Sequence, residues 1–437
     1  MQNITVLGKD MEAGFAAYDN AYNEDETQVY LYKYEKGLYL TDVGPLVKVT
    51  GYEAPEENTE AYRDEDARYQ AEFLTWDQAV KEIDAIGNTK RYYKIELPKN
   101  IGASMDEMEV TSPIGTVSMP SKAAEVKITS EDGETNGIFF TGTTITLKCP
   151  TVMENVGFTC VKKYGKGIET YYDTVNYTMN VGNFKLTQQN MVTKFGGMDT
   201  TPYTITGSSK GVFELLSGAK KGQSFAAVKS LDKLIVKHNG ETADGSGYEN
   251  FVLDCSGDIS VKNLTVENCT VEAKNITVSA LTELDEASLQ SGTSAANDGK
   301  LTLKDIRLAD RGNAFTAEQN KSGATQIVIN GTVTAAEDAK ANALEEGAIT
   351  LKLYYNNYTK KLFWWVVDES VPSKPVQLYD GMVLCIAQKA DAKLFVPVYT
   401  VEANEEMGLH RIDGMGSKHV GYGMYKSGKN ICYGKAQ

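Results

Sequence analysis

Long apolar runs are missing from this chain. No stretch approaches the ~20 residues a bilayer-spanning helix needs, and the first residues do not set a basic segment before an apolar one. Insertion into a membrane is therefore not expected, although removal of a signal peptide would leave a similar beginning. Histidine is scarce, with three residues (His238, His410 and His419). Six cysteines in 437 residues are too few for a disulfide scaffold, and none form a Cys-x-x-Cys pair, which argues against a zinc ribbon or a thioredoxin-like redox centre. Cys149, Cys160, Cys255 and Cys269 are expected as small buried hydrophobes near strand ends, with disulfides between neighbouring strands as the alternative. Positive charge is also in deficit: 44 Lys and Arg against 59 Asp and Glu give 44 − 59 = −15. That balance argues against a nucleic-acid partner or an anionic membrane surface.

The signatures of common catalysts are absent too. The sequence holds no Gly-x-Ser-x-Gly elbow, no His-Glu-x-x-His and no phosphate-binding P-loop. Polysaccharide hydrolases built on parallel β-helices need two or three carboxylates around the scissile bond, and lyases need a carboxylate-held metal and a base. The Asn-Thr-Asp, Asp-Asp and Gly-His-Gly groups of pectinases do not occur; of the nearest fragments, His238-Asn239-Gly240 reads as a turn, and in Asp305-Ile306-Arg307-Leu308 the arginine is expected on an outer, solvent-facing side. His410 and His419 flank a glycine-rich loop without further convergent ligands. No catalytic residue, cofactor or metal is expected. The acidic stretches, Asn23 to Glu26 and Glu53 to Asp66, lack the ordered ligand spacing of an EF-hand and read as solvated loops or a linker.

What the sequence does contain is a recurrent corner followed by a strand. The copies are Glu154-Asn155-Val156-Gly157-Phe158, Lys262-Asn263-Leu264-Thr265-Val266, Lys274-Asn275-Ile276-Thr277-Val278 and Lys304-Asp305-Ile306-Arg307-Leu308. In each, two apolar positions lie two apart and share one strand face, while the residue between them points away. Asn155, Asn263, Asn275 and Asp305 are the expected structural corners. Asn and Asp tolerate a left-handed backbone and bond through their own side chains. Lys233 lies 30 residues before Asn263, and Asn275 lies 30 before Asp305, intervals proper to stacked repeats, whereas Asn263 and Asn275, 12 apart, read as successive sides of one coil. The predicted fold is mainly β: a right-handed parallel β-helix, or β-solenoid, with a capping helix and a C-terminal antiparallel β region.

Near the start, Phe15-Ala16-Ala17-Tyr18-Asp19-Asn20-Ala21 aligns with Phe73-Leu74-Thr75-Trp76-Asp77-Gln78-Ala79, and each copy runs into a tyrosine-rich strand. This predicts duplicated helix-then-strand units. The second copy is the stronger helix, with a Thr75/Gln78 capping box, a stripe of Phe73, Trp76, Ala79, Val80, Ile83 and Ile86, and a Gly87-Asn88 stop. Laid across the open end of a solenoid, it would cover strand edges that otherwise recruit other chains. The expected organisation is a helix-strand unit with an acidic linker over residues 1–66, a solenoid with its capping helix over 67–348, and an antiparallel β domain or cap over 349–437.

The last region holds an aromatic group on two strands around Asn356-Asn357. Tyr354, Tyr358 and Trp364 form a candidate ligand-binding strip, because Tyr and Trp stack on sugar rings and anchor protein contacts. Trp364 and Trp365 alternate faces and cannot both belong to it.

The Phe-x-x-Trp-Asp-x-Ala helix, the Lys-Asn-Ile-Thr-Val strands, Gln326-Ile327-Val328-Ile329-Asn330-Gly331-Thr332-Val333 and the closing Tyr425-Lys426-Ser427-Gly428 strand resemble the solenoid modules of large secreted surface proteins of Gram-positive gut bacteria, often labelled leucine-rich-repeat or adhesin-like. The resemblance covers roughly residues 70 to 437. It implies extracellular or cell-surface exposure and adhesion or scaffolding; a host or bacterial surface glycan or protein is the expected partner, and the chain is expected to be a monomer. The alternative is a carbohydrate-active β-helix protein, either a lyase, a hydrolase or a glycan binder.

Overall fold

The computed structural model describes all of residues 44–309 except 57–60, 104–109, 132–133, 167–168, 193, 196–197, 218–223, 239–251, 286 and 293–298, and outside that span it describes strands only. The chain is mainly β, with a large mixed sheet and, among the described residues, one α-helix. It divides into two compact units, Met1–Thr206 and Gly207–Gln437, so the change of unit falls inside the span expected as a continuous solenoid.

In the first unit, the strands of successive turns pair in parallel register. Tyr92–Leu97, Glu125–Ser130, Thr151–Glu154 and Lys185–Gln189 form one ladder. Gly137–Phe140 pairs with Gly157–Lys166, while Thr144–Thr146, Thr178–Asn180 and Tyr203–Thr206 form a third ladder. A strand thus returns to the same ladder after visiting the other two. The register places Tyr93, Val126, Thr151 and Leu186 in one buried stack and Ile95, Ile128, Met153 and Gln188 in another. Alternation on a pleated strand does this: period-two apolar residues face inward while Lys94, Lys127 and Glu154 face out. Each large side chain withdrawn from water contributes roughly 1.5 to 3 kcal/mol, so the stacks dominate stability. The outer ion pairs, such as Lys94 with Glu96 at 3.2 Å, are partly exposed and contribute little.

The expected helix is present over Trp76–Ile86. The Gln78 amide donates to Thr75 Oγ1 at 3.2 Å, and Gly87 ends the helix at φ +66° with its amide on the Ile83 carbonyl. Phe73, Trp76, Ala79, Val80 and Ile83 are buried, and Ile86 partly so. The helix also gathers neighbouring segments. Trp76 Nε1 donates to the Ser118 carbonyl at 2.6 Å, Asp77 accepts from the Ser118 hydroxyl at 2.6 Å, and Asp84 accepts from the amides of Ser121 and Lys122 at 2.7 and 3.0 Å. From the other side, the Tyr32 hydroxyl donates to Gln78 Oε1 at 3.0 Å.

Two expectations are corrected here. The helix packs on Val47–Tyr52 and Ala67–Phe73, and the edge of Tyr92–Leu97 is covered by Val47–Tyr52, which pairs with it antiparallel. A strand edge needs a row of backbone partners, which another strand supplies and a helix does not. The first copy of the repeat, Phe15 to Ala21, belongs to the strand Gly14–Tyr22, which pairs antiparallel with Gln28–Tyr34. Beyond Ala21 this copy meets Asn23-Glu24-Asp25-Glu26, whereas the second continues with Val80, Ile83 and Ile86. Without those residues there is no apolar face to stabilise a helix. The acidic stretch after Glu53 lies between the paired strands Val47–Tyr52 and Ala67–Phe73, and it contains the 3-10 turn Asp64–Asp66.

The second unit repeats the parallel principle with longer, bent strands. Ser224–His238, Val252–Glu267, Thr270–Asp285 and Lys300–Leu308 pair in parallel, and register breaks between Val261 and Leu264 and between Val278 and Leu281 mark changes of direction. Three inner stacks result: Leu253, Val271 and Leu289; Ile259, Ile276 and Leu301; Leu234, Leu264, Thr282 and Ile306. All of these residues are buried. Parallel pairing ends where Thr325–Ile329 meets Ile349–Asn356 antiparallel, followed by Lys361–Val367, also antiparallel. The remaining C-terminal strands form a four-stranded sheet. It departs from the expected antiparallel arrangement in one place, because Val383–Ala387 and Asn430–Lys435 run parallel.

Replacing Trp76 by Ala removes both a buried ring and the bond to Ser118. The expected loss is about 3 to 5 kcal/mol, read as a lowered thermal midpoint together with faster amide exchange over residues 117–123. An unchanged midpoint would show that the helix is not integral to the first unit.

Candidate functional site

Three of the four expected corners fall into two structural types, and the fourth, Asp305, lies inside the strand Lys300–Leu308. Asn155, between Thr151–Glu154 and Gly157–Lys166, takes the left-handed backbone at φ +52°. Its amide donates to the Gln189 carbonyl at 3.2 Å, and its carbonyl accepts from the Ser130 hydroxyl at 2.5 Å. Asn263 and Asn275 keep extended backbones inside long strands and act through their side chains. Asn263 Nδ2 donates to the Asp232 carbonyl at 3.1 Å, while Oδ1 accepts from the Leu281 amide at 3.4 Å. Asn275 Nδ2 donates to Asp258 Oδ1 at 2.7 Å, and Oδ1 accepts from the Lys300 amide at 3.0 Å. Each amide therefore bridges the strand before it to the strand after it.

Register corrects one of the spacings. Lys233 does align with Asn263. Asn275, however, aligns with Lys300, and Asp305 aligns with Leu281, so the 30-residue interval from Asn275 to Asp305 joins two different corners. Asn263 and Asn275 are not successive sides as their short separation suggests: the left-handed Asn268 lies between them, and Asn275 aligns with Asp258 of the preceding strand. Ser230 and Asn268, at φ +59° and +55°, are left-handed positions that the motif did not capture.

Of the aromatic strip, Tyr354 and Trp364 lie on paired strands, and Tyr358 lies outside the described residues, as do His410 and His419. Tyr354 aligns with Phe363 and Trp364 with Leu353, one position apart, so the two belong to opposite faces of the ladder and do not form the single strip expected from the sequence. His238 ends the strand Ser224–His238. Arg307 points outward as expected and pairs with Glu283 at 2.7 Å, its side chain 62% exposed.

A different aromatic group is prominent in the first unit. The chain leaves the stack after Cys160, runs out along Gly157–Lys166, returns antiparallel along Glu169–Thr174, and closes with the Val175 amide on the Cys160 carbonyl at 2.9 Å. Tyr164 faces Tyr171 across this pair, with ring centroids 5.8 Å apart and planes at 22°. These two are the exposed large hydrophobics among the described residues, at 37% and 61%. The Lys162 ammonium lies 5.4 Å from the Tyr164 centroid, and that of Lys163 lies 5.9 Å from Tyr172. The sequence signal was available: alternating residues on either side of Gly165-Lys166-Gly167 mark a hairpin.

Cys149, Cys160, Cys255 and Cys269 are free and buried, in keeping with their reading as small hydrophobes. Burial pushes the thiols of Cys149, Cys255 and Cys269 up to about 12 and raises that of Cys160. Among the described residues, no group of three or more His, Cys, Asp or Glu could hold a metal ion. Neither a known protein family, nor a curated protein, nor a solved structure matches this chain.

Asn263→Val and Asn275→Val each delete a bridge and leave backbone groups unmet, so each is expected to cost roughly 1 to 3 kcal/mol; thermal melts that match the parent chain would exclude the bridging role. The thiols generate a pH dependence. Because folding raises their pKa from an ordinary value of about 8.5, their contribution to stability is complete below that pH and is lost as pH rises towards 12. Iodoacetamide at pH 8 should leave the four thiols unmodified in the folded chain and alkylate them in urea, and mass spectrometry reads both states.

Proposed function

We propose that the chain is a non-enzymatic module of an extracellular or cell-surface protein, in which a right-handed parallel β-helix presents an extended outer surface for adhesion or scaffolding. The observation that carries this reading is the return of each strand to its ladder in parallel register, with apolar stacks inside and charged residues outside. Right-handed crossovers are the rule for parallel connections. Outside, charges from successive strands pair with one another: Lys262 with Asp232 at 3.1 Å, Lys237 with Glu267 at 2.5 Å, and Glu283 with both Lys233 at 3.6 Å and Arg307 at 2.7 Å. Such a surface serves recognition by shape and by local groups. No helix among the described residues is long and apolar enough to cross a membrane.

A second reading, a carbohydrate-active β-helix protein, draws support from the exposed Tyr164 and Tyr171, since tyrosine offers an apolar face and a polar tip. One experiment separates the two. The purified chain is screened on a glycan array and against acidic and neutral polysaccharides, with assays for new reducing ends and unsaturated products. Binding without product is the expected result. Product formation would establish the second reading, and the absence of any retained glycan or surface protein would defeat the first.

A further inference from the structure

We infer that one outer side of the second unit's ladder binds an acidic polysaccharide in which charged and neutral sugars alternate, an inference that rests on the surface-module reading and gives it a ligand class. The side is built by period two on three parallel strands. Asp258, Ser260 and Lys262 lie on Val252–Glu267, Asn275, Thr277 and Ser279 on Thr270–Asp285, and Lys300, Thr302 and Lys304 on Lys300–Leu308. Between them Ile259 and Val261, Ile276 and Val278, and Leu301 and Leu303 are buried, so these residues point outward. Register stacks Lys229, Ser260, Thr277 and Thr302 in one column and Asp258, Asn275 and Lys300 in the next.

The decisive observation is which cations lack a partner. On the ladder strands of this unit, Lys233 and Arg307 pair with Glu283, Lys237 with Glu267, and Lys262 with Asp232. Lys229, Lys274, Lys300 and Lys304 are exposed and have no ion pair among the described residues. Three of them stand on this side, and Lys274 stands at the corner before Asn275. The nearby carboxylates are already engaged, Asp232 by Lys262 and Asp258 by Asn275 Nδ2 at 2.7 Å. Lys229, Lys262, Lys274, Lys300 and Lys304 against Asp232, Asp258 and Asp305 give 5 − 3 = +2, on a chain whose balance is −15. At physiological ionic strength charges beyond about 8 Å are largely screened, so the local excess governs what approaches.

Spacing selects a polymer over a single ion. Lys229 and Lys300 are three rungs apart, which separates their backbones by roughly 14 Å, and Lys300 and Lys304 are about 13 Å apart along one strand. A single oxyanion would force these long side chains to one point, against their rotamer freedom and their mutual repulsion. A chain with separated anions meets each where it stands. Between the lysines lie Ser260, Thr277, Ser279 and Thr302, whose hydroxyls have no partner among the described residues and can both donate to and accept from the hydroxyls of a neutral sugar. An alternating polymer uses both features. A neutral polymer uses only the hydroxyls, and a polyphosphate, charged at every link, sets most of its anions beside hydroxyls and Asp258 rather than beside lysines.

The test measures binding of hyaluronate and κ-carrageenan oligomers, which carry a carboxylate or a sulfate on alternate sugars, to the full chain by isothermal titration calorimetry, with neutral dextran and polyphosphate as comparison ligands. The expected result is binding of an alternating polymer that weakens with salt; the polymer that binds more tightly assigns the oxyanion. Lys229→Gln/Lys300→Gln/Lys304→Gln is expected to weaken it at least tenfold and to remove most of its salt dependence, whereas Thr277→Val weakens it severalfold and leaves the salt dependence in place. Lys237→Gln, at a paired lysine elsewhere on the ladder, is the control and leaves binding unchanged. Unchanged melting curves verify that the variants fold. Equal binding of dextran, or preference for polyphosphate, would overturn the ligand class. Binding that survives the triple lysine substitution would overturn the site while the surface-module reading stands. Failure of both alternating polymers to bind, with other ligands retained on the glycan array, likewise overturns this inference alone.

Discussion

A parallel ladder between strands that follow one another along a chain holds only if each turn returns the backbone to the same rung, because a slip of one residue would exchange the inner and outer faces. The parallel-paired strands of both units share that constraint. The inner positions must be buried at the same phase in every turn, as Ile95, Ile128, Met153 and Gln188 are in the first unit and Ile259, Ile276 and Leu301 in the second. The corners must correct the phase wherever direction changes. Asn155 does so with a left-handed backbone, whereas Asn263 and Asn275 tie each corner to the turns on both sides.

The outermost strand of a ladder exposes unpaired backbone groups. In the first unit, Val47–Tyr52 closes the edge of Tyr92–Leu97 by antiparallel pairing; in the second, Ile349–Asn356 does the same for Thr325–Ile329. Reversing strand direction stops propagation without leaving the edge bare. The helix Trp76–Ile86 then supports the closing hairpin and anchors residues 118–122 through Trp76, Asp77 and Asp84.

Features with a short-range cause were legible in the sequence. Leu264 with Val266 and Ile276 with Val278 announced their inner faces through period two, and Thr75, Gln78 and Gly87 marked the helix ends. Features set by long-range pairing were not. The likeness of Phe15–Ala21 to Phe73–Ala79 suggested a second helix, yet its strand conformation is fixed by Gln28–Tyr34, which no local pattern encodes. The interval from Asn275 to Asp305 assumed turns of constant length, whereas the stack runs from Leu253 to Val271 to Leu289 and then to Phe315. The excursion with Tyr164 and Tyr171 was hidden for a related reason: Val156 to Lys163 reads as an ordinary strand until one sees that its first half is stacked and its second half leaves the stack.

That departure and return at Cys160 and Val175 has an evolutionary consequence. The two ends of the excursion are joined by the rung they share, so its length is uncoupled from the register of the turns above and below. Doubling a flexible loop costs only about 0.6 kcal/mol in closure entropy, far less than a slip in register would cost. The excursion can thus change in length or composition while the stacked interior beneath it stays the same.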